Sequence, residues 1–281
     1  MQETVTGLLD AFASSDPTPG GGSASALAGA IGVSLLAMVA GMPKNKTNTP
    51  EAREALDKAR AQLMELRGKL AALVDHDAVA YDLVVAAYKH PKSNDDEKAL
   101  RKKAIQDAMR VATEVPLETV RTCVAGMDLA KPIAEYGNPS AISDIGVGLH
   151  LLMSALQGAL YNVEINLEGI TDPAVVDELS GQLKALMAGR GHVGTDVMKN
   201  SGIFELMKKT SARIGVPQGQ PPPFTGAIAE LLRRLGTDEA RRALEVLSES
   251  QTGDMGDKAR NALAQFAPAD PPPDKGGEWT V

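Results

Sequence analysis

Aromatic residues and cysteine are scarce in this chain, and each shortage limits what the protein can be. Aromatic side chains make up only 3% of the 281 residues. Strands of β-sheets favour aromatic and β-branched residues, so the composition favours closely packed helices instead. The one cysteine, Cys123, excludes an intrachain disulfide and a metal site built on cysteines. Its apolar neighbours predict an unreactive thiol in the core.

An excess of positive charge is also missing. The formal net charge is −7, and the Lys and Arg residues do not cluster into a stripe that could follow a nucleic-acid backbone. We therefore expect no nucleic-acid partner. The first residues, MQETVTG, lack the cationic start of a secretory signal. These features predict a cytoplasmic protein.

Charged residues are absent from the whole stretch between Pro17 and Pro43. About 20 apolar residues suffice to cross a bilayer, so this stretch is long enough to span one. Its first half, however, is Gly, Ser and Ala, which insert weakly, and no aromatic or basic anchor lies at its N-terminal end. We interpret it as a buried helix of a soluble protein, without a membrane partner.

Capping residues mark the starts of several predicted helices. Thr49 precedes Pro50, Asn94 lies three residues before a glutamate, and Asp172 precedes a proline, all typical of helix N-termini. Pro116 lies inside the fourth predicted helix and is expected to kink or split it. The patterns predict helices at about 3–13, 22–41, 50–89, 94–130, 139–168 and 173–198, and no strands.

The composition changes near residue 200, which divides the chain into three predicted parts. Residues 1–200 are predicted to form one all-α domain, a bundle of long helices. Residues 201–266 contain a proline-rich linker and short amphipathic patterns, which predict a small C-terminal helical appendage. Residues 267–281 are rich in Pro and Gly and are predicted to be disordered.

An aspartate interrupts the hydrophobic seam of the third predicted helix. Leu56, Leu63 and Leu70 recur every seven residues, and the next position in that series is Asp77. A buried carboxylate needs a hydrogen-bond donor, a proton or a wet cavity, since burying it alone is costly. Asp77 is therefore either a structural polar group that sets the helix register or a functional one. Asp75 lies off the seam and is expected in solvent.

The fifth predicted helix has polar residues at both ends of one face. Asp144 and Asn162 are 18 residues apart, which is five full turns, so both side chains project in the same direction. A separation of about 27 Å is too large for one active site in a single chain. The face carries either ordinary interface groups or two halves of a site, in which the Asp144 end of one subunit meets the asparagine end of another.

Three consecutive glycines, Gly20 to Gly22, precede Ser23 and the second predicted helix. Backbone N–H groups at a helix N-terminus favour anionic or polar ligand atoms. A phosphate-binding loop of the Walker type is not indicated, because no lysine follows and the loop comes after a helix. Ser25, Gly29 and Gly32 then form a face of small residues, which lets a neighbouring backbone approach closely.

Six segments of the chain together resemble the formiminotetrahydrofolate cyclodeaminase/methenyltetrahydrofolate cyclohydrolase family. They are PTPGGGSASALAGAIG (17–32), DHDAVAYD (75–82), PKSNDDEKALRKKAIQDAM (91–109), ATEVPL (112–117), GNPSAISDIGVG (137–148) and NVEINL (162–167). The resemblance covers about residues 4–200 and implies an all-α homodimeric enzyme. It also implies that the partner is a tetrahydrofolate derivative, bound near the glycine loop and the dimer interface, with no metal and no cofactor beyond this substrate.

The resemblance also implies roles for individual residues. Asp144 would stabilise the cationic one-carbon unit and transfer protons. Lys46 would donate a proton or hold the glutamyl tail. His76 and His150 flank these groups and are expected to be structural or surface residues. The implied substrate-binding residues are Gly20, Gly21, Gly22, Ser23, Asp77, Asn138, Asn162 and Asn166, with Asp77 behind the others.

The chain departs from the family pattern after the second helix, where adjacent lysines are usual. Here an asparagine separates Lys44 from Lys46. Three functions therefore compete. A methenyltetrahydrofolate cyclohydrolase is favoured by the lack of an attached transferase domain, and a formiminotetrahydrofolate cyclodeaminase, an ammonia-lyase, is the second. The third is a folate-binding helical protein without catalysis, which the altered lysine segment would explain.

Overall fold

The computed structural model describes residues 4–43, 45–46 and 49–187 and the isolated positions 260 and 264. These residues form helices and no strand, so the all-α prediction is confirmed for them. The predicted appendage (201–266), the predicted tail (267–281) and the predicted end of the last helix at 198 lie outside the described residues, apart from the two isolated positions. The elements are α1 (Val5–Ala13), α2 (Gly21–Ala40), α3 (Pro50–Tyr88), α4 (Asp95–Tyr136), a short 3-10 helix (Pro139–Ala141), α5 (Ile142–Leu167) and α6 (Pro173–Met187).

The capping residues read from the sequence form the expected bonds. Thr49, Asn94 and Asp172 each accept a hydrogen bond from a backbone N–H two or three residues further on, at 2.9 to 3.2 Å. Such bonds satisfy N–H groups that the first turn of a helix leaves without a partner. Local chemistry therefore fixes where α3, α4 and α6 begin.

The core forms where α2 packs against α3, α4 and α5. The predicted leucine seam of α3 is confirmed, because Leu56, Leu63 and Leu70 are fully buried. Each such side chain contributes about 1.5–3 kcal/mol when removed from water. Cys123 of α4 is also buried, and desolvation raises the pKa of its thiol to about 12. A protonated thiol is a poor nucleophile, so the prediction of an unreactive core cysteine is confirmed.

Two segments are long and apolar enough to cross a membrane by length and composition alone, Gly21–Ala40 and Pro139–Leu167. The most apolar part of the first is 61% buried inside the protein, against 39% for the second. A core helix of a soluble protein has the same composition. The burial of α2 supports its interpretation as a core helix, and the cytoplasmic location stays a prediction.

Helix α4 continues without interruption past Pro116, from Asp95 to Tyr136. Of the two outcomes expected at this proline, the split is therefore wrong. Proline has no N–H, so the carbonyl of Ala112 cannot accept the usual helical bond from residue 116. The Ala112 carbonyl instead accepts a hydrogen bond from Nδ2 of Asn166 on α5, at 2.7 Å.

Helices α2 and α5 are antiparallel and touch through their glycines. A Cβ atom added at Gly32 would lie 2.8 Å from the Gly148 carbonyl oxygen, and one at Gly148 would lie 3.0 Å from that of Gly32. Near the start of α2, Ser25 packs against Gly158 in the same way. Two members of the small-residue face predicted for α2, Ser25 and Gly32, therefore lie against α5, whereas Gly29 lies against Leu70 of α3 and Cys123 of α4.

Replacing Gly32 by Ala should destabilise the protein by about 1–3 kcal/mol, because the added methyl group would press on the α5 backbone. The control is Gly68→Ala in α3, where an added Cβ meets nothing within 4 Å. That change should stabilise by up to about 1 kcal/mol through helix propensity. Urea unfolding measures both. Equal stabilities for Gly32→Ala and the original protein would contradict the close contact.

Candidate functional site

A cavity of about 280 Å³ opens at the N-terminus of α2, and we call it the glycine cavity. Four parts of the chain form its wall: the loop before α2, one face of α3, the middle of α4 and the last turns of α5. The lining residues are Pro17, Thr18, Gly20, Gly21, Gly22, Asp77, Ala80, Tyr81, Val84, Met109, Ala112, Asn162 and Asn166. Six of the residues predicted to bind substrate therefore lie around one cavity.

The start of α2 offers hydrogen-bond donors to this cavity. Gly20 is the N-cap residue and supplies no side-chain cap, while its carbonyl accepts the Ala24 N–H at 3.0 Å. Within the described part of the chain, the N–H groups of Gly21 and Gly22 have no acceptor. Such groups concentrate the positive end of the helix dipole. They are suited to a ligand oxygen that carries partial or full negative charge.

Asp77 caps α2 from the neighbouring helix α3. Its Oδ2 accepts a hydrogen bond from the Ser23 N–H at 2.8 Å and one from the Ser23 hydroxyl at 3.0 Å. The same hydroxyl lies 2.9 Å from the Val74 carbonyl oxygen, so two acceptors share its one proton. Ser23 itself is fully buried. The carboxylate is thus held at the positive end of the α2 dipole.

The Asp77 carboxylate also explains one of the three glycines. A Cβ atom at Gly22 would lie 2.6 Å from Cγ of Asp77 and 2.8 Å from its Oδ2, which is far inside contact distance. Gly21 is exposed, and the nearest atom to its Cβ position is Nδ2 of Asn162 at 3.7 Å. Gly22 is therefore required by Asp77, whereas Gly21 leaves the backbone accessible from the cavity. Asp77 lines the cavity directly, although the sequence placed it behind the other groups.

Asn162 and Asn166 lie one turn apart on α5, and both are half-buried. Nδ2 of Asn162 donates to the Gly158 carbonyl at 2.8 Å, and Nδ2 of Asn166 donates to the Ala112 carbonyl at 2.7 Å. Because only the nitrogen of a carboxamide can donate, these bonds identify which end of each side chain is the oxygen. Neither Oδ1 accepts a hydrogen bond from the described residues, so both can accept one from a ligand.

The remaining wall of the glycine cavity is largely apolar. Tyr81 and Val84 follow Asp77 by four and seven residues on α3, and Met109 faces them from α4. These residues were not predicted from the sequence, since apolar side chains on a helix normally indicate core. The signal was their spacing from Asp77, which puts them on its face of the helix. One polar edge beside apolar walls suits a flat heterocyclic ligand.

Lys46 and Asn138 lie at a different place, in a smaller cavity of about 70 Å³. The Lys46 N–H donates to the Tyr136 carbonyl at 2.9 Å, which attaches the segment after α2 to the end of α4. Asn138 Oδ1 accepts the Ser140 N–H at 2.9 Å and so begins the 3-10 turn before α5. The Lys46 side chain is exposed.

Asp144 belongs to the end of the molecule that holds this smaller cavity. It is half-buried in the first turn of α5, between Ile142 and Ile145, which both line that cavity. Asn162 lies five turns further along the same continuous helix, about 27 Å away. A single chain therefore does not bring Asp144 to the glycine loop. The predicted site residues form two groups, the glycine cavity and what we call the Asp144 end (Lys46, Asn138 and Asp144).

The two histidines near these groups line neither cavity. His76 and His150 are exposed, and Nδ1 of His150 pairs with the Gly146 carbonyl at 2.8 Å. The expectation that they are surface or structural residues is confirmed. Within the described residues no group of three or more His, Cys, Asp or Glu side chains could hold a metal ion.

The described residues form an all-α fold with a cavity, polar on one edge, where α2, α3, α4 and α5 meet. A family model described as Formiminotransferase-cyclodeaminase matches residues 4–185, and the chain belongs to this family. The resemblance inferred from the motifs is thereby confirmed.

Similar proteins carry two different activities in their names. The methenyltetrahydrofolate cyclohydrolase of Methylorubrum extorquens is 38% identical over 206 residues, which is 73% of this chain and 96% of that protein. The formimidoyltransferase-cyclodeaminase of Gallus gallus is 33% identical over 169 residues, 60% of this chain but 31% of its own length. The crystal structure of formiminotetrahydrofolate cyclodeaminase from Thermotoga maritima superposes with a TM-score of 0.64 and 26% identity, covering 73% of this chain and 98% of that one.

Replacing Asp77 by Ala should destabilise the protein by about 1–3 kcal/mol, because the buried Ser23 N–H would lose its acceptor. Asp75→Ala is the matched control, since Asp75 is exposed on the same helix and its loss should change stability by no more than about 0.5 kcal/mol. Urea unfolding of both variants makes the comparison. If the two variants are equally stable, Asp77 does not cap α2.

Proposed function

We propose that the protein is a methenyltetrahydrofolate cyclohydrolase, which converts 5,10-methenyltetrahydrofolate to 10-formyltetrahydrofolate. The observation that carries this proposal is the 38% identity with the Methylorubrum extorquens cyclohydrolase, which extends over 96% of that protein. The formimidoyltransferase-cyclodeaminase of Gallus gallus is matched over only 31% of its length. Both names describe enzymes of folate metabolism, so the substrate class is the same in either case.

The glycine cavity supports the proposal through its hydrogen-bond pattern. A pterin ring has an amino group and a ring N–H along one edge, and the Oδ1 atoms of Asn162 and Asn166 are free to accept from them. The same ring carries a carbonyl oxygen, which the N–H groups of Gly21 and Gly22 would bind at the start of α2. Tyr81 supplies an aromatic wall beside the ring.

Hydrolysis begins when water adds to the amidinium carbon between N5 and N10 of the cationic substrate. The added water loses one proton to solvent, and the bond from this carbon to N5 then breaks as the remaining hydroxyl proton moves to N5 and the formyl C=O forms. A carboxylate next to the cationic carbon stabilises its charge and can relay the proton from water to N5. We assign this role to Asp144. Lys46 at the same end would donate a proton or hold the glutamyl tail.

Because Asp144 and Asn162 lie about 27 Å apart on one helix, a site that uses both residues takes Asp144 from one copy of the chain and Asn162 from a second copy. Two α5 helices could pair in antiparallel directions about a two-fold axis at about residue 155. This pairing would place Asp144 of one copy beside Asn162 and Asn166 of the other. The exposed side of α5 supports this pairing, because it carries large apolar residues that water would otherwise contact. Val147 is 52% exposed and Ile165 is 63% exposed.

A formiminotetrahydrofolate cyclodeaminase is the second candidate, and the Thermotoga maritima structure favours it because 98% of that chain is covered. In this reaction N10 attacks the formimino carbon and ammonia leaves. The same groups would serve, since the one-carbon unit again lies between N5 and N10 and protons again move. Substrate choice therefore distinguishes the two functions better than the geometry of the site does.

Purified protein should remove the absorbance of 5,10-methenyltetrahydrofolate faster than buffer alone, with little ammonia released from 5-formiminotetrahydrofolate. Asp144→Asn should lower kcat by about two orders of magnitude, as loss of a positioned acid–base group does. Asp75→Asn is the matched control and should keep full activity. Ammonia release without hydrolysis would establish the second function, and neither activity with retained folate binding would indicate a binding protein.

Mixed dimers test whether two chains share each site. Asp144→Asn and Asn162→Ala should each be nearly inactive, but coexpression of the two variants should restore about a quarter of the normal activity. Half of the dimers would be mixed, and each would hold one site with both halves intact. Two affinity tags verify that mixed dimers form. Isolated mixed dimers without activity would contradict a shared site.

A further inference from the structure

Pro116 removes one backbone N–H from the wall of the glycine cavity. In a regular helix the N–H of residue 116 would bond to the carbonyl of Ala112, a residue that lines the cavity. Proline has no N–H, so this carbonyl is free, and it accepts Nδ2 of Asn166 at 2.7 Å instead. A side chain from α5 thus replaces the missing backbone donor of α4.

This bond determines the direction of the Asn166 carboxamide. With the amide turned around, Oδ1 would face the Ala112 oxygen, and two acceptors would oppose each other. In the described part of the chain, the only buried side-chain nitrogen or oxygen without a partner belongs to Asn45. The Asn166 Oδ1, which no described donor reaches, is therefore not a buried atom, and Asn166 is one of the residues that line the glycine cavity.

We propose that Pro116 is a positioning residue for the ligand contact made by Asn166. By withholding a backbone N–H, it leaves the Ala112 carbonyl free to hold Asn166 with Oδ1 towards the glycine cavity. There the oxygen accepts a hydrogen bond from a ring N–H or amino group on the edge of a nitrogen heterocycle. The inference rests on the proposed function in one respect, that the glycine cavity binds the pterin ring of the substrate.

Helix stability alone does not account for a proline at this position. A proline inside a helix removes one hydrogen bond, and its ring crowds the preceding turn, so an alanine would suit α4 better. Position 116 is also buried and apart from any helix end, where proline would be favourable. A purely structural residue would lower stability when it is replaced. If Pro116 is instead kept for its effect on Asn166, its replacement should leave stability equal or higher while it weakens ligand binding.

Pro116→Ala is the direct test, because it restores the N–H that competes with Asn166 for the Ala112 carbonyl. We expect an equal or higher Tm, a KM for methenyltetrahydrofolate raised about five-fold by the weakened ligand hydrogen bond, and kcat within about two-fold of normal. Pro132→Ala is the matched control, since Pro132 lies inside the same helix and lines neither cavity. It should leave KM unchanged. An unchanged KM in Pro116→Ala would overturn the proposal.

A double-mutant cycle shows whether Pro116 acts through Asn166. Asn166→Ala alone should raise KM, and adding Pro116→Ala to that variant should raise it no further, because the side chain to be positioned is gone. Multiplied effects of the two changes on KM would overturn the proposal. Since Asn166→Ala leaves α4 unchanged, the cycle also separates ligand positioning from any folding defect of the proline variant.

A measurement without turnover separates this inference from the proposed function. In the ligand-free protein the Asn166 side-chain amide should show one slowly exchanging Nδ2 proton by NMR, and Pro116→Ala should speed its exchange. Binding of 5-formyltetrahydrofolate, measured by calorimetry, should weaken about five-fold in the same variant. A protein without hydrolase activity would refute the proposed function alone. Unchanged Asn166 amide exchange in Pro116→Ala would refute the positioning role alone.

Discussion

The contact between α2 and α5 at Gly32 and Gly148 is the constraint on which the rest of the structure depends. Because two backbones touch there, and helices are stiff, the distance of α5 from α2 is fixed along its length. The antiparallel direction then places Asn162 beside Gly21 at the start of α2. Larger residues at the crossing would move the asparagines away from the glycine loop, so packing in the core controls the width of the glycine cavity.

The polar side chains of the glycine cavity each bond to the protein through one atom and keep another atom free. Asp77 holds the start of α2 through Ser23, Asn162 bonds to its own helix, and Asn166 bonds to α4. Their orientation is thus set by the fold, and little side-chain entropy would be lost in binding a ligand there. The same bonds tie the cavity to the fold, so a change at Asp77 should affect stability.

Local sequence patterns were sufficient to predict the helices, whereas contacts between residues far apart in the chain could not be predicted from the sequence. The caps at Thr49 and Asn94 depend on residues within one turn, so the helix starts could be read directly. Beside Pro116, the Ala112 carbonyl accepts a hydrogen bond from Asn166, 54 residues later in the chain, and no local pattern reveals this bond. Tyr81 was missed for a related reason, because an aromatic residue on a helix indicates packing until a cavity is known.

The constant rise of a helix explains why the separation of Asp144 from Asn162 was predictable even though the cavities beside them were not. A straight helix cannot bring Asp144 and Asn162 together, whatever surrounds it. A parallel pair of α5 helices would join Asp144 to its own copy, where two carboxylates repel each other. In an antiparallel pair, the Asp144 end of each copy meets the asparagine end of the other, which generates two equal sites. In the proposed assembly, binding at one end of α5 and proton transfer at the other therefore become parts of one reaction only when two chains combine.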